Sequence, residues 1–216
     1  MVKEGIPFVL ASALIAAAFA FFQFWIFATA FVLIAAFMAY FFRDPHRTIP
    51  EGKGLIVSAA DGRVTRIEDT AAGKLVSVFL SPLNVHINRS PIAGNIRTII
   101  YISGKKLPAT DDRSSLVNER NSLVIAGEDM TVTCTQIAGI LARRIVCWNK
   151  ESDNLERGQK FGMIKFGSRT DVLMPPDVEI AVKIGDKVLG GETIIARLIV
   201  SSSEFPGSEL RNRHHV

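Results

Sequence analysis

Hydrophobic and polar positions divide the chain into an apolar first part and a remainder of short apolar runs. Residues 6–42 carry no charged side chain over 37 positions. Four residues interrupt the apolar set there: Pro7, Ser12, Gln23 and Thr29. One membrane span needs about 20 apolar residues, and a helix of this length would extend roughly 55 Å, beyond a hydrocarbon core of ~30 Å. The pattern predicts a membrane anchor of residues 1–42 with two short helices that turn near Gln23. One long tilted helix is the alternative.

Cations flank the apolar segment at both ends. Lys3 precedes it, and Arg43, His46 and Arg47 follow it. Cytoplasmic loops of membrane proteins carry an excess of Lys and Arg. We therefore expect both ends of the anchor, and the domain that follows it, on the cytoplasmic face of the cell membrane.

After residue 42 the apolar runs are short and are separated by glycine and proline. Such runs are typical of β-strands, and no long stretch with a 3.6-residue period follows. Segment 137–148 is ambiguous, and we favour a strand after a break at Gly139. Residues 43–216 are thus predicted to form one mainly β domain. The other predicted strands cover residues 55–59, 62–67, 75–80, 95–102, 122–126, 131–136, 179–184, 187–189 and 193–198.

Two turn-rich segments sharpen the fold prediction. They read ADGRVTRI from Ala60 and IGDKVLGGETI from Ile184. Their glycines can adopt the positive φ that tight turns require. The second pattern resembles flattened β-barrels of the biotinyl and lipoyl kind. We therefore expect a flattened β-barrel or lipoyl-like hybrid sandwich, which by itself implies no function.

Composition and charge limit the class of protein. Ten of the 14 phenylalanines precede Arg43, and the chain is 48% hydrophobic with a mean hydropathy of +0.26. Without residues 1–42, about 40% of the remainder is apolar and about 25% is charged, as in globular domains. This excludes a wholly soluble protein, a disordered chain and a polytopic transporter. The net charge of +4 belongs to the domain, suits an anionic lipid surface, and is too small for nucleic acid.

Three residues are candidates for chemistry: Ser168 after Gly167, Asp61 in a predicted turn, and His86, one of four histidines. Taken singly, each has a plain structural explanation as a turn or strand residue. The two cysteines, Cys134 and Cys147, have no second Cys or His at metal-ligand spacing, so we expect no metal. Reduced, buried thiols are the expectation for a cytoplasmic domain, and the sequence leaves a disulfide open.

Six motifs in a fixed order give these residues a common context. The chain thereby resembles the phosphatidylserine decarboxylase family over residues 41–200. Its short length and double apolar segment resemble the compact branch of that family. The motifs are FRDP at 42–45, ADGRV at 60–64, VHINRSP at 85–91, NERN at 118–121, QIAGxxARRI at 136–145 and FGSR at 166–169.

The resemblance implies a proenzyme that processes itself. Ser168 would attack the carbonyl of Gly167 in an N-to-O acyl shift. β-Elimination of the ester would leave a dehydroalanine, which hydrolyses to a pyruvoyl group. His86 and Asp61 match the family's base and orienting carboxylate, which activate a weak hydroxyl nucleophile. The products would be a β chain of residues 1–167 and an α chain of residues 168–216.

The resemblance also implies the mature reaction. Phosphatidylserine would lose CO2 and become phosphatidylethanolamine through a Schiff base with the pyruvoyl carbonyl, which acts as an electron sink. His86 would return the proton, because an ordinary histidine pKa of about 6.5 suits proton transfer at neutral pH. Arg89 and Arg169 are candidates to contact the substrate's carboxylate or phosphate. A homodimer is expected from the family.

Two positions depart from the family pattern. Longer members have a His-x-x-His arrangement whose first histidine falls at Leu83, which cannot exchange protons. Either His86 serves both maturation and decarboxylation, or another group handles protons in the mature enzyme. Longer members also have a small hydroxyl residue at Arg169, whereas the compact branch tolerates arginine there.

Two alternatives stay open from the sequence. The same chemistry could act on another serine phospholipid, such as an ether-linked archaeal lipid, because the headgroup is identical. A membrane-anchored adaptor with a lipoyl-like module is an alternative from another class. Such adaptors usually carry a long helical hairpin, whereas this chain has no heptad stretch after residue 42.

Overall fold

A computed structural model of the chain describes residues 1–104, 117–139, 144–165 and 168–199. The apolar segment forms a helical hairpin that precedes a β domain. The helical elements are a 3-10 turn at Lys3–Gly5, α1 at Ile6–Phe21 and α2 at Trp25–Phe41.

The hairpin reverses direction at residues 22–24. Gln23 has a φ of 60°, and the Phe24 N–H donates a hydrogen bond to the Phe19 carbonyl (2.8 Å). Because a left-handed residue ends an α-helix, the apolar segment forms two helices and not one long helix.

The outer surface of the hairpin is apolar. Phe21 is 82% exposed and Ile26 is 84% exposed, whereas Ala16 and Ala28 are buried. Small residues allow two helices to approach closely in lipid. By length and composition Lys3–Phe21, with 19 residues, is long and apolar enough to cross a membrane, whereas α2 has 17 residues. The hairpin therefore presents a surface suited to lipid.

The β domain is built from antiparallel strands, which in the described ranges form three sheets. The strands are β1 (Leu55–Val57), β2 (Gly62–Thr70), β3 (Gly73–Leu80), β4 (Ile87–Arg89), β5 (Gly94–Ile102), β6 (Arg120–Ala126), β7 (Thr131–Ala138), β8 (Ile145–Cys147), β9 (Asn154–Leu155), β10 (Lys160–Ile164), β11 (Ser168–Met174), β12 (Val178–Ile180), β13 (Lys187–Val188) and β14 (Ile194–Leu198). The large sheet has the order β13-β2-β3-β11-β7-β6-β5-β9, and the small sheets are β1-β14-β12 and β4-β10-β8.

The main core lies against one face of the large sheet. Burial alternates along β6, where Asn121, Leu123 and Ile125 are buried and the residues between them are less so. This period of two is that of a strand with one face in a core. A mainly β domain behind N-terminal apolar helices confirms the predicted fold class. Cys134 in this core and the half-buried Cys147 are free thiols, and burial raises the pKa of each.

All nine firmly predicted strands overlap strands of the structure, and the ambiguous segment 137–148 contributes the end of β7 and then β8. Residues 140–143 of that segment lie outside the described residues. Segment 179–184 forms only the short β12, because the chain turns at Gly185, with a φ of 98°. Four of the described strands were not predicted: β4, β9, β10 and β11.

Candidate active site

Ser168 is the first residue of β11, in the middle of the large sheet. Its backbone lies between Leu80 of β3 and Ala138 of β7. The side chain is fully buried, and its Oγ has no hydrogen-bond partner in the described part of the chain. A buried polar atom without a partner is uncommon and needs an explanation such as a reactive role. Gly167, the other half of the predicted cleavage site, lies outside the described residues.

A tight loop leads from the strand beside Ser168 to His86. Leu80, the register partner of Ser168, ends β3. The Asn84 N–H then donates to the Ser81 carbonyl (2.9 Å), and the Asn84 side chain accepts the Ser81 N–H (2.9 Å). His86 follows two residues later and leads into β4. Topology therefore brings His86 to the end of the sheet where β11 begins.

The His86 imidazole is a buried neutral base. It is 1% exposed, and its Nδ1 lies 3.0 Å from the Asn84 carbonyl, which assigns the proton to Nδ1 and the lone pair to Nε2. Nε2 is buried without a hydrogen-bond partner among the described residues. Burial lowers the pKa of His86 to about 4, the Asn84 hydrogen bond opposes that shift, and the charge of Arg43 adds to it. At neutral pH Nε2 can therefore accept a proton.

A buried chain of hydrogen bonds, here called the amide chain, links three amide side chains and one threonine hydroxyl on four strands around the site. Asn121 Nδ2 of β6 donates to Gln136 Oε1 of β7 (3.0 Å). Gln136 Nε2 donates to Asn88 Oδ1 of β4 (2.9 Å), and Asn88 Nδ2 donates to Thr170 Oγ1 of β11 (2.9 Å). Each of these side chains is at most 3% exposed, so each depends on its partner for satisfaction.

This hydrogen-bond chain joins the strands that carry the two candidate reactive residues. Asn88 lies two residues beyond His86, and Thr170 lies two residues beyond Ser168, on the same face of β11. The hydrogen bond between Asn88 and Thr170 therefore holds the strand after His86 against the strand that Ser168 begins. Sequence reasoning gave none of the four amide-chain residues a role, although three of them, Asn88, Asn121 and Gln136, lie in quoted motifs.

Asp61 belongs to a separate ion-pair cluster. Its carboxylate accepts two hydrogen bonds from Arg47 Nη2 (2.9 and 2.7 Å) and one from the Gly190 N–H (2.8 Å). Glu192 lies 3.6 Å from the same guanidinium. Asp61 is not hydrogen-bonded to His86, because Nδ1 of that ring contacts the Asn84 carbonyl and Nε2 has no partner in the described chain.

The Asp61 turn nevertheless packs on the strand that follows His86. The Ala59 carbonyl accepts the Arg89 N–H (2.9 Å). The Arg89 side chain is 9% exposed; it pairs with Asp44 (3.2 Å) and donates to the Gly158 carbonyl (3.0 Å). It lines a cavity of about 520 Å³. The cavity is also lined by three cations, Arg47, Arg157 and Lys160, by His46, and by two carboxylates, Asp44 and Glu156.

Arg169 lies on the other face of β11. It is 3% exposed, and its Nε lies 3.0 Å from Asp171 Oδ1. Burial raises the pKa of Asp171, and the Arg169 charge opposes that shift. Alternate residues of a strand point to opposite faces, so Arg169 and Asp171 point away from the face shared by Ser168 and Thr170.

The fold and the site together define a class of protein. A serine hydroxyl and a neutral imidazole lie buried at one end of a β domain, next to an apolar hairpin suited to a membrane. These features define a membrane-associated protein whose β domain holds a buried serine hydroxyl and a buried, neutral imidazole.

Comparison with known proteins identifies the family. The phosphatidylserine decarboxylase family model matches residues 34–196. The chain is 46% identical over 205 residues to the phosphatidylserine decarboxylase proenzyme of Symbiobacterium thermophilum, covering 91% of this chain and 94% of that protein. It is 43% identical to the proenzyme of Syntrophus aciditrophicus (88% and 94% covered) and 44% identical to that of Nitratidesulfovibrio vulgaris (90% and 93% covered). The chain belongs to the phosphatidylserine decarboxylase family.

Membership confirms the resemblance stated from the motifs. It also confirms the predicted enzyme class, a carboxy-lyase with phosphatidylserine decarboxylase activity that depends on a self-generated pyruvoyl group. The roles of individual residues are a separate matter, and they stay predictions.

Proposed function

We propose that this chain cleaves itself between Gly167 and Ser168 and then converts phosphatidylserine into phosphatidylethanolamine and CO2. One observation carries the proposal. Two buried polar atoms, Ser168 Oγ and His86 Nε2, have no hydrogen-bond partner in the described chain, and they lie on segments that the amide chain holds together. A nucleophile and its base need such unpaired atoms, because the oxygen must form a new bond and the nitrogen must accept a proton.

In maturation, the Ser168 Oγ bonds to the Gly167 carbonyl carbon while its proton passes to His86 Nε2. The peptide C–N bond breaks, and the proton moves to the departing nitrogen, which gives an ester. Removal of the Cα proton of residue 168 then expels the Gly167 carboxylate. Hydrolysis of the remaining dehydroalanine releases ammonia and leaves the pyruvoyl group. A neutral imidazole with a lowered pKa suits the first step, because Nε2 is unprotonated at neutral pH.

The site fits a pyruvoyl group at position 168. The residue is fully buried, and pairing with β3 and β7 fixes its backbone at the start of β11. When formed, the pyruvoyl group supplies a sink for the electron pair left by CO2. His86 Nε2 is the group we assign to carry the proton that returns to the product. Burial makes the protonated imidazole a ready proton donor.

We keep Asp61 in the proposal as the residue that orients His86. The contact requires a rearrangement, because Arg47 and the Gly190 N–H now hold the carboxylate. Support comes from the short path between them: the turn before Asp61 is hydrogen-bonded to β4, directly after His86.

Arg89 and Arg169 stay proposals for contacts with the substrate. Arg89 is supported by its place at a cavity whose lining has four Arg and Lys side chains against two carboxylates, Asp44 and Glu156, an excess of positive charge that suits a carboxylate or phosphate group. For Arg169 the geometry favours a structural pair with Asp171.

We further propose that the domain lies on the cytoplasmic face of the membrane and that the enzyme forms a homodimer. The Val2 N–H donates to the Phe42 carbonyl (3.0 Å), so both ends of the hairpin emerge together, next to Lys3 and Arg43. Cations at both ends favour the cytoplasmic side. Protease accessibility in sealed inverted vesicles tests the orientation, and light scattering in detergent tests the dimer.

The activity is tested with the full chain in mixed micelles that contain phosphatidylserine. We expect phosphatidylethanolamine and CO2 to form in equal amounts, and we expect none from Ser168→Ala. A second series with an ether-linked phosphatidylserine measures the preference for ester-linked or ether-linked chains, because both lipids share the headgroup. A wild-type chain that cleaves itself but leaves both lipids unchanged would overturn the proposed substrate class.

A further inference from the structure

The end of the membrane hairpin touches the active site. Phe41, the last residue of α2, is 1% exposed. Its ring centroid lies 4.3 Å from that of the His86 imidazole, with an angle of 32° between the planes. An aromatic ring at this distance covers one side of the imidazole and excludes water from it.

Two more side chains tie the same helix end to the loop before His86. Tyr40 Oη (3.3 Å) and Arg43 Nη2 (2.8 Å) both donate to the Leu83 carbonyl. The Arg43 guanidinium lies over the Tyr40 ring, 3.8 Å from its centroid, which fixes the pair. The Leu83 side chain is 63% exposed, so this position acts through its backbone, as an attachment point for the hairpin.

An apolar cluster completes the attachment. It joins both ends of the hairpin to the strand pair β4 and β10, and it is separate from the main core of the domain. The Ile164 N–H of β10 donates to the His86 carbonyl (3.2 Å), so the same strand pair holds the histidine backbone. The cluster consists of Val2, Phe41, Phe42, Val85, Ile87 and Met163.

We infer that Phe41 is a positioning residue for His86. Its ring holds the imidazole in the orientation that points Nε2 into the site, and it shields that face from water. The membrane hairpin is therefore one wall of the catalytic site as well as an anchor. The inference rests on the proposed role of His86 as the base.

The shielding of His86 by Phe41 affects the pKa of the imidazole. Burial is the main cause that disfavours a protonated imidazole, and the charge of Arg43, just after α2, acts in the same direction. Two further cations lie on the neighbouring strands, Lys165 after β10 and Arg144 before β8. Loss of the Phe41 ring admits water and reduces the burial contribution, so the pKa of His86 rises toward its ordinary value.

The test has one measurement that does not depend on catalysis. The full chain carrying Ser168→Ala is purified in detergent with isotope-labelled histidine, and the His86 resonance, assigned by its loss in His86→Gln, is titrated by NMR. We expect a pKa of about 4 in this parent. Phe41→Leu should raise it by about one unit or more. Phe42→Leu is the matched control, because Phe42 is equally buried in the same cluster and packs on Phe8 and edge-on against Phe41, whereas the described ring contact of His86 is with Phe41.

The second measurement is the self-cleavage rate of chains that keep Ser168. At pH 5 relative to pH 8, Phe41→Leu should lose roughly half of its rate, as expected for a base whose pKa has risen by about one unit to near the lower pH. The wild type and Phe42→Leu should lose much less. Phe41→Met replaces Phe41→Leu if the latter does not fold.

Equal pKa values in the parent and Phe41→Leu, or equal shifts in Phe41→Leu and Phe42→Leu, would overturn the inference. A wild-type chain that never cleaves would instead contradict the proposed function, and the NMR titration would still decide the role of Phe41.

Discussion

Two groups of polar residues near the active site differ in whether their buried atoms have hydrogen-bond partners. In the ion-pair cluster of Arg47, Asp61 and Glu192, the Asp61 carboxylate accepts three hydrogen bonds. In the reactive pair of Ser168 and His86, both Oγ and Nε2 are buried without a partner in the described chain. Buried polar atoms that hold a fold together are paired, whereas atoms that must form new bonds are left available.

The largest expected effect is on the reactive pair. Ser168→Ala should abolish self-cleavage and give a stably folded, uncut chain, because the hydroxyl has no described partner to lose. A gel of the purified chain measures cleavage, and chemical denaturation measures stability.

Ser90→Ala is the control for that substitution. Ser90 is equally buried, and its Oγ donates to the Ile92 carbonyl (2.6 Å). It should cost about 1 kcal/mol of stability and leave cleavage intact. A reversed pattern, with Ser168→Ala unstable and cleaved, would remove the distinction between the two kinds of site.

The next effect concerns the base. His86→Gln keeps a side-chain N–H for the Asn84 carbonyl and removes the proton acceptor. We expect cleavage to slow by about 10² to 10⁴, the usual contribution of a general base. His46→Gln is the control, since His46 lies at the cavity beside Arg89. Equal rates in the two variants would exclude His86 as the base.

The ion-pair cluster gives the third effect. Asp61→Asn removes the nearer of two carboxylates from the Arg47 guanidinium, whose side chain is 7% exposed, and leaves Glu192 at 3.6 Å. Breaking a buried pair from one side costs about 3–5 kcal/mol. The double variant Asp61→Asn with Arg47→Gln should recover most of that stability, as a denaturant titration would show.

Cleavage in the double variant separates the two roles of Asp61. As the residue that orients His86, it is needed for rate even when the fold is restored, so the proposal predicts a stable but slow chain. A stable chain that cleaves at the wild-type rate would confine Asp61 to the ion-pair cluster.

The smallest effect is on stability at acid pH. His86 has an ordinary pKa of 6.5 and a folded pKa of about 4, so between these values the unfolded chain binds a proton that the folded chain does not. Stability from this group is present above pH 6.5 and is lost as the pH falls to 4, by about 3 kcal/mol in total. The difference between Ser168→Ala and Ser168→Ala/His86→Gln isolates it, because other groups cancel. A difference that does not change with pH would contradict the lowered pKa.

The sequence predicted much of the fold because its strands are regular. Apolar runs bounded by glycine and proline mark nine strands, and the absence of charge marks the hairpin. The strands that carry the site were missed for a physical reason. In β11, Arg169 and Asp171 occupy one face and Ser168 and Thr170 the other, so a buried central strand reads as a polar turn.

The pairing of side chains within the site was harder to predict from the sequence than the strands. The Asn84 carbonyl selects the His86 tautomer, and Arg47 holds Asp61, through contacts that depend on how distant segments pack. No periodicity marks such contacts. From the sequence, Arg47 is a cation beside the anchor, and Phe41 is a residue for which packing is the favoured role.

The most direct test of the central claim is the intact mass of the purified wild-type chain. Self-processing at the reactive pair predicts two fragments, residues 1–167 and residues 168–216. The second should be lighter, by the mass of one ammonia, than the same peptide with an N-terminal serine. An uncut chain, or a second fragment that begins with an unmodified Ser168, would contradict the account.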